Sequence, residues 1–362
     1  MSGDRDLLTA RQVGDATWVR EALSEHWGPE WTADAPQPLG AVDGEQPLSH
    51  TAGLWRISHD GAPYVLKVQL ESEALRSPVF HSLKRRVMAH CAARGVPVAT
   101  AVPPAAGTAV SWHDGHVCEV APLVSGGSAA APAPAQATAV IEAGVALRTA
   151  LDTVPGSLAN ELAPLPLPRL VAEERWRHAL ADAEVRLLPL ARRRTDAWGR
   201  AAAEALRALV AAGPMLYAAA DALEPPPERM AVVHSDLHHH HFLLDHRPHP
   251  RVLAILDFDN THVGDRLLDL AWVAETAGRV HGTHADVTRA LEFFLERSRS
   301  SGLLSDDHVS LLMPVLVAHA VPVIVDIAKD ILERDLLSPS WLAYFELLDS
   351  SRRLRLHHLL TG

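Results

Sequence analysis

Residues 232–245 read VVHSDLHHHHFLLD, and residues 252–259 read VLAILDFD. A short apolar run at Val232 and Val233 enters a polar loop that begins with His234 and Asp236, and Phe242-Leu-Leu opens another strand. A second apolar run, Val252 to Leu256, ends in Asp257-Phe-Asp259. Runs this short, bounded by polar residues, read as buried strands. Acidic and imidazole side chains at the ends of such strands are held by the backbone, as groups that do chemistry must be.

Working outward, this β island sits inside a helical half. Helical spacing covers roughly 137–151, 170–190, 195–222, 266–280, 284–300, 306–335 and 339–359. The front half has strand and turn texture. Gly53 to Ser58 and Tyr64 to Val68 flank Asp60-Gly61, and a second pair of runs flanks Asp114-Gly115, the signature of antiparallel hairpins. Residues 72–94 carry helical spacing that stops at Gly95, and residues 1–35 read as a short helical lead-in with a link. An Ala/Pro/Gly/Ser-rich stretch, Pro122 to Pro134, suits a hinge. The expectation is an α+β protein of two lobes: a small β-rich lobe over 1–121 and a larger, mostly helical lobe over 122–362.

Composition narrows the function. The chain has 362 residues, with 48% apolar and 21% charged, an ordinary globular balance. Its net charge of −11 argues against a nucleic-acid partner, which calls for a basic surface. The N-terminus lacks the apolar core of a signal peptide. The most apolar stretch, Leu311 to Ile327, is interrupted by Pro314, His319, Pro322 and Asp326, so a cytoplasmic protein without a membrane span is expected. Cys91 and Cys118 are too few for a disulfide framework or a zinc site. Lysine occurs only at 67, 84 and 329 in an arginine-rich chain, so a lysine in the apolar strand Tyr64 to Val68 invites a chemical explanation.

His234-Ser-Asp236-Leu-His-His-His-His241 resembles the catalytic loop of the aminoglycoside phosphotransferase and choline kinase-like enzymes. Ile255-Leu-Asp257-Phe-Asp259, Gly264-Asp265 and Asp269-Leu-Ala271 are similar to that family's following motifs, and Tyr64-Val-Leu-Lys67-Val to its ATP-binding strand. The resemblance covers roughly 40–280, with the motifs in order. It implies a protein-kinase-like fold and transfer of the γ-phosphate of ATP, or alternatively GTP, to a hydroxyl, with Mg2+ or Mn2+. Asp236 would orient the acceptor and take its proton. Asp257 would hold the metal. Lys67 would meet the α/β-phosphates, Val65 the adenine, and Glu119 to Ala121 would form the hinge against the adenine edge. His234 and Asp269 would support the loop.

Three features depart from the family pattern. His241 stands where most members carry Asn; macrolide phosphotransferases share the His, and an imidazole suits Mn2+ at least as well as Mg2+. Lys84 falls where the lysine's glutamate partner belongs, with Glu71 and Glu73 as substitutes. The segment Gln46 to Thr51 lacks a glycine-rich character, Ser125-Gly126-Gly127 is too short for a phosphate loop, and no GxxxxGK[ST] motif occurs. His238, His239 and His240 are expected as loop residues without chemistry. The acceptor expected is a hydroxyl of a small natural product or antibiotic. Two alternatives remain: a kinase acting on Ser or Thr of a ribosomal precursor peptide, with a lyase partner, and a non-catalytic pseudokinase. Asp326 and Asp330 would face either a cationic acceptor or solvent.

Overall fold

The computed structural model describes residues 15–39, 52–69, 77–128, 131–166 and 175–362; Gln46 to Thr51, Glu71 and Glu73 lie outside the described residues. The chain divides into two compact units. One holds the residues up to Gly126 with Leu253–Leu256, and the other Gly127–Val252 with Asp257–Gly362. The first boundary thus falls five residues beyond the one expected, and a four-residue piece of the β island joins the β-rich unit.

The β-rich unit begins with α1 (Ala16–His26), capped by the Asp15 carboxylate on the Thr17 amide. Its antiparallel sheet comprises β1 (Gln37–Pro38), β2 (Ala52–His59), β3 (Ala62–Gln69), β4 (Ser111–His113) and β5 (His116–Pro122), in the order β1-β2-β3-β5-β4. Both Asp-Gly turns form as read: Asp60 and Gly61 have φ of 50° and 73°, Asp114 and Gly115 48° and 82°. Two successive positive φ values match the turn to the twist of its strands, and Gly adopts them without a Cβ clash. One sheet face, with Trp55, Ile57, Leu66, Val68, Cys118 and Val120, buries Val19, Ala22 and Leu23 of α1 together with Trp27 and Trp31. The lead-in helix is therefore core. The helix α2 (Pro78–Ala92) follows, with Ser77 accepting from the Phe80 amide and Pro78 in the first turn. It ends before Gly95, whose φ is 79°.

The helical unit contains α3 (Pro134–Asp152), α4 (Gly156–Leu162), α5 (Arg175–Asp182), α6 (Leu188–Arg193), α7 (Ala197–Ala211) and α8 (Gly213–Ala218). After the β island come α9 (Leu267–Ala277), α10 (His284–Ser300), α11 (Asp306–Val309), α12 (Leu312–Glu333), α13 (Pro339–Leu347) and α14 (Ser350–Thr361). Every residue of α9 is buried. It packs on α3 at Gly144, where an added Cβ would stand 2.4 Å from a Val273 methyl, so only glycine permits this approach.

The apolar stretch, read as helical within 306–335 and as too interrupted for a membrane span, forms one continuous helix over Leu312–Glu333. Pro314 lies in the first turn of α12, where no amide is needed, and Pro322 is carried inside it. The stretch Asp306–Glu333 is by length and composition able to cross a bilayer, but 72% of its apolar window is buried inside the protein. It serves as a core helix against α5, α7, α9 and α14.

Candidate active site

The β island is built on β6 (Met230–Val233), β7 (Phe242–Leu244), β8 (Val252–Ile255) and β9 (His262–Asp265). β6 pairs antiparallel with β9, Val233 opposite His262, so the Gly264-Asp265 motif is itself a strand end. Where β6 stops, the His234 and Ser235 amides donate to the two carboxylate oxygens of Asp269, at 3.0 and 2.8 Å. Arg148 of α3, with 0% of its surface exposed, donates to the same carboxylate at 2.8 Å and to Asp152 at 2.9 Å. A buried carboxylate is tolerated when it is paired and fully hydrogen-bonded, as Asp269 is. Ser235 has φ of 66°, unusual for a residue with a Cβ. Its carbonyl accepts from the Trp272 indole at 3.0 Å, and its hydroxyl donates to the Asn260 carbonyl at 3.0 Å. These bonds hold the turn that presents Asp236.

Around Asp236 the polar groups converge. The His241 Nδ1 lies 2.6 Å from the Asp236 carbonyl, so that nitrogen carries the proton and donates. Its Nε2 lone pair is thereby directed to Asp257, whose carboxylate is 3.7 Å away. An imidazole fixed by its other nitrogen is the usual arrangement of a metal ligand, and Nε2 with the Asp257 carboxylate is a donor set that fits a divalent ion. Asp257 follows β8 with φ of 63° and ψ of 62°, a second strained position. Asn260 Nδ2 reaches the Asp236 carboxylate at 3.5 Å. His234 is buried, accepts from the Asp236 amide at 3.3 Å, and places its ring against Phe258.

His238, expected to be inert, stands instead 3.8 Å from the Asp236 carboxylate, its ring 3.7 Å from that of His241. One ligand atom from each of Asp236, His238 and His241 lies within 4.8 Å of the others. Burial holds the His238 imidazole well below its ordinary pKa, reinforced by neighbouring imidazoles. Burial likewise pushes His239 down to about 2, with Arg279 adding to the effect. Both rings are neutral at pH 7. Arg148, Asn260 and Trp272, which hold this loop, were not among the residues expected at the site. A single arginine in the apolar run Ala143 to Leu151 was the available signal for Arg148.

In the β-rich unit, Lys67 pairs in register with Glu119, and Val65 with Ala121. Glu119 to Ala121, read as a hinge, therefore lie inside a strand pairing, and the Val120 carbonyl accepts from Val102 at 2.7 Å. The Glu119 side chain is engaged by Lys84, 2.6 Å away. Helix α2 thus supplies a lysine, and β5 the glutamate. Asp330, weighed as an acceptor contact, forms an ion pair with Arg334 one turn on, at 2.5 Å.

No curated protein matches the sequence. The structure is similar to a spectinomycin phosphotransferase solved with ADP and spectinomycin, at 13% identity and a TM-score of 0.67, over 95% of this chain and 98% of that one. It is also similar to a microcompartment-associated aminopropanol kinase, at 16% identity and a TM-score of 0.63, over 96% and 100% of the two chains. An amicoumacin kinase, solved with AMP-PNP, Ca2+ and its antibiotic, matches at 13% identity and a TM-score of 0.60, over 96% and 95%. At these identities the likeness establishes the protein-kinase-like fold. A family model supplies the rest, matching residues 46–302, which include the whole segment from His234 to Asp269. The chain belongs to the phosphotransferase enzyme family, and is a phosphotransferase with an alcohol group as acceptor.

Proposed function

We propose that the protein transfers the γ-phosphate of ATP to a hydroxyl of a small natural product of the antibiotic class. The observation that carries this is the His241 imidazole, fixed through Nδ1 on the Asp236 carbonyl and turned with Nε2 toward Asp257. In this reading Asp236 orients the acceptor hydroxyl and receives its proton as the oxygen attacks phosphorus. His241 and Asp257 hold the divalent ion, Mg2+ or Mn2+, which when bound supplies neutralisation of phosphate charge. Asp269, with Arg148, fixes the loop through the two amides, and His234 supports it through the Asp236 amide. Lys67 takes the α/β-phosphates and Val65 the adenine, with the backbone of Glu119 to Ala121 at its edge. Spectinomycin, amicoumacin and aminopropanol, named with the similar structures, are all small molecules and favour such an acceptor over a precursor peptide with a lyase partner.

The test is phosphate incorporation from ATP, with Mg2+ or Mn2+, across a panel of aminocyclitol, aminoglycoside and macrolide hydroxyl compounds. Asp236→Asn lowers the rate by about 10²–10⁴-fold, the usual contribution of a positioned base, with an unchanged melting temperature. A variant that keeps full rate overturns the assignment of Asp236.

A further inference from the structure

A second cluster of metal-ligating side chains lies in the β-rich unit. Glu25 and His26 close helix α1, and His113 ends β4 immediately before the Asp114-Gly115 turn. The Glu25 carboxylate is 3.0 Å from His113 Nδ1 and 3.9 Å from His26 Nε2. One ligand atom from each residue falls within 4.8 Å of the other two. Ligands at about 2.0–2.1 Å around a tetrahedral ion are separated by about 3.3 Å, so small side-chain adjustments bring all three onto one ion. Both imidazoles are largely buried; His113 faces the Glu25 carboxylate through Nδ1, and among the described residues the His26 Nε2 that also faces it has no hydrogen-bond partner. A buried nitrogen in that state favours a ligand.

The backbone around them is tied down by hydrogen bonds. The Ala105 amide donates to the His26 carbonyl at 2.8 Å, and the Trp27 indole to the Val102 carbonyl at 3.2 Å. At the hairpin tip the Asp114 carboxylate accepts from the Trp18 indole at 3.0 Å, and the Trp18 ring meets His113 edge-on. A cavity of about 250 Å³ adjoins the cluster and is lined by Glu25, His26, Thr108, Ser111 and Trp112. It leaves room for a fourth, exogenous ligand.

We infer that Glu25, His26 and His113 form a binding site for a first-row divalent ion of the Zn2+ type, which pins α1 to the β4–β5 hairpin. Two imidazoles and one carboxylate select such an ion over Mg2+. The site is separate from the His238–His241 loop, and neither reading requires the other.

The experiment uses the full chain. Zn2+ affinity is measured by competition with a chromophoric chelator in excess Mg2+, for wild type, His26→Ala, His113→Ala and His241→Ala, with melting temperature in parallel. The inference expects at least a tenfold weaker site in His26→Ala and His113→Ala, its retention in His241→Ala, and a zinc-dependent rise in melting temperature lost only in the first two. Affinity unchanged in both of those variants, lost only in His241→Ala, or absent from folded wild type overturns it. If the alanine variants do not fold, wild type alone decides: Zn2+ must protect His26 and His113 from diethyl pyrocarbonate, read by peptide mass spectrometry, and unprotected rings overturn the site.

Discussion

A lysine with 5% of its side chain exposed stays charged only beside a counter-charge, and the Glu119 carboxylate provides it to Lys84 at 2.6 Å. Removing Glu119 takes away a charge-assisted hydrogen bond to this buried lysine, so Glu119→Ala destabilises the protein by about 1.5–3 kcal/mol in urea unfolding. The double variant Lys84→Met/Glu119→Leu, which removes both charges and keeps their volume, loses much less. A cost of Glu119→Ala indistinguishable from zero would show that the pair is solvated. At this scale the sequence singled out Asp236, His241 and Asp257 as candidates, because loop residues between apolar strands have few other reasons to be acidic or imidazole, and the structure brings His241 close to both aspartates. It did not disclose the Lys84–Glu119 pair or the approach of His238 to Asp236. Both depend on contacts between residues whose separation or rotamer no linear pattern specifies.

Among elements, the critical joint is the one between the loop after β6 and the first turn of α9. Asp269 accepts two loop amides and Arg148 at once. Asp269→Asn keeps the shape but replaces one acceptor oxygen by a donor and leaves Arg148 buried without its full counter-charge. A loss of about 3 kcal/mol follows, with faster hydrogen exchange at the His234 and Ser235 amides before global unfolding. Exchange at those amides no faster than in wild type would place the support elsewhere. The hairpins and the helix end at Gly95 were readable because each rests on local backbone chemistry, an Asp-Gly turn or a glycine with positive φ. The helix read over 306–335 was legible from its apolar spacing despite Pro322, which argues locally for a break that packing inside the helical unit overrides; its separation into α11 and α12 at Ser310 and Leu311 was not. The pairing of β6 with β9 was hidden for a related reason, since strand partners are chosen in three dimensions.

For the molecule as a whole, the consequence of these buried imidazoles is sensitivity to acid. His319 lies on α12, and burial pushes its pKa down to about 4. Asp236 and Asp269 oppose that shift, while His262 and Arg353 add to it. An unfolded chain returns this histidine to about 6.5 and binds its proton earlier than the folded one. The stabilisation is therefore complete above about pH 6.5 and is lost as pH falls toward 4. Its slope approaches about 1.4 kcal/mol per pH unit in between, for a total of about 3 kcal/mol. His319→Gln removes that proton from the balance. Its unfolding free energy, followed by urea titration from pH 7.5 to 4.5, declines less steeply than that of wild type, with the two curves converging at the acid end. Parallel curves across the whole range would mean that His319 titrates alike in both states. The imidazole would then be solvated in the folded state, and its surroundings on α12 would be more open than the structure has them.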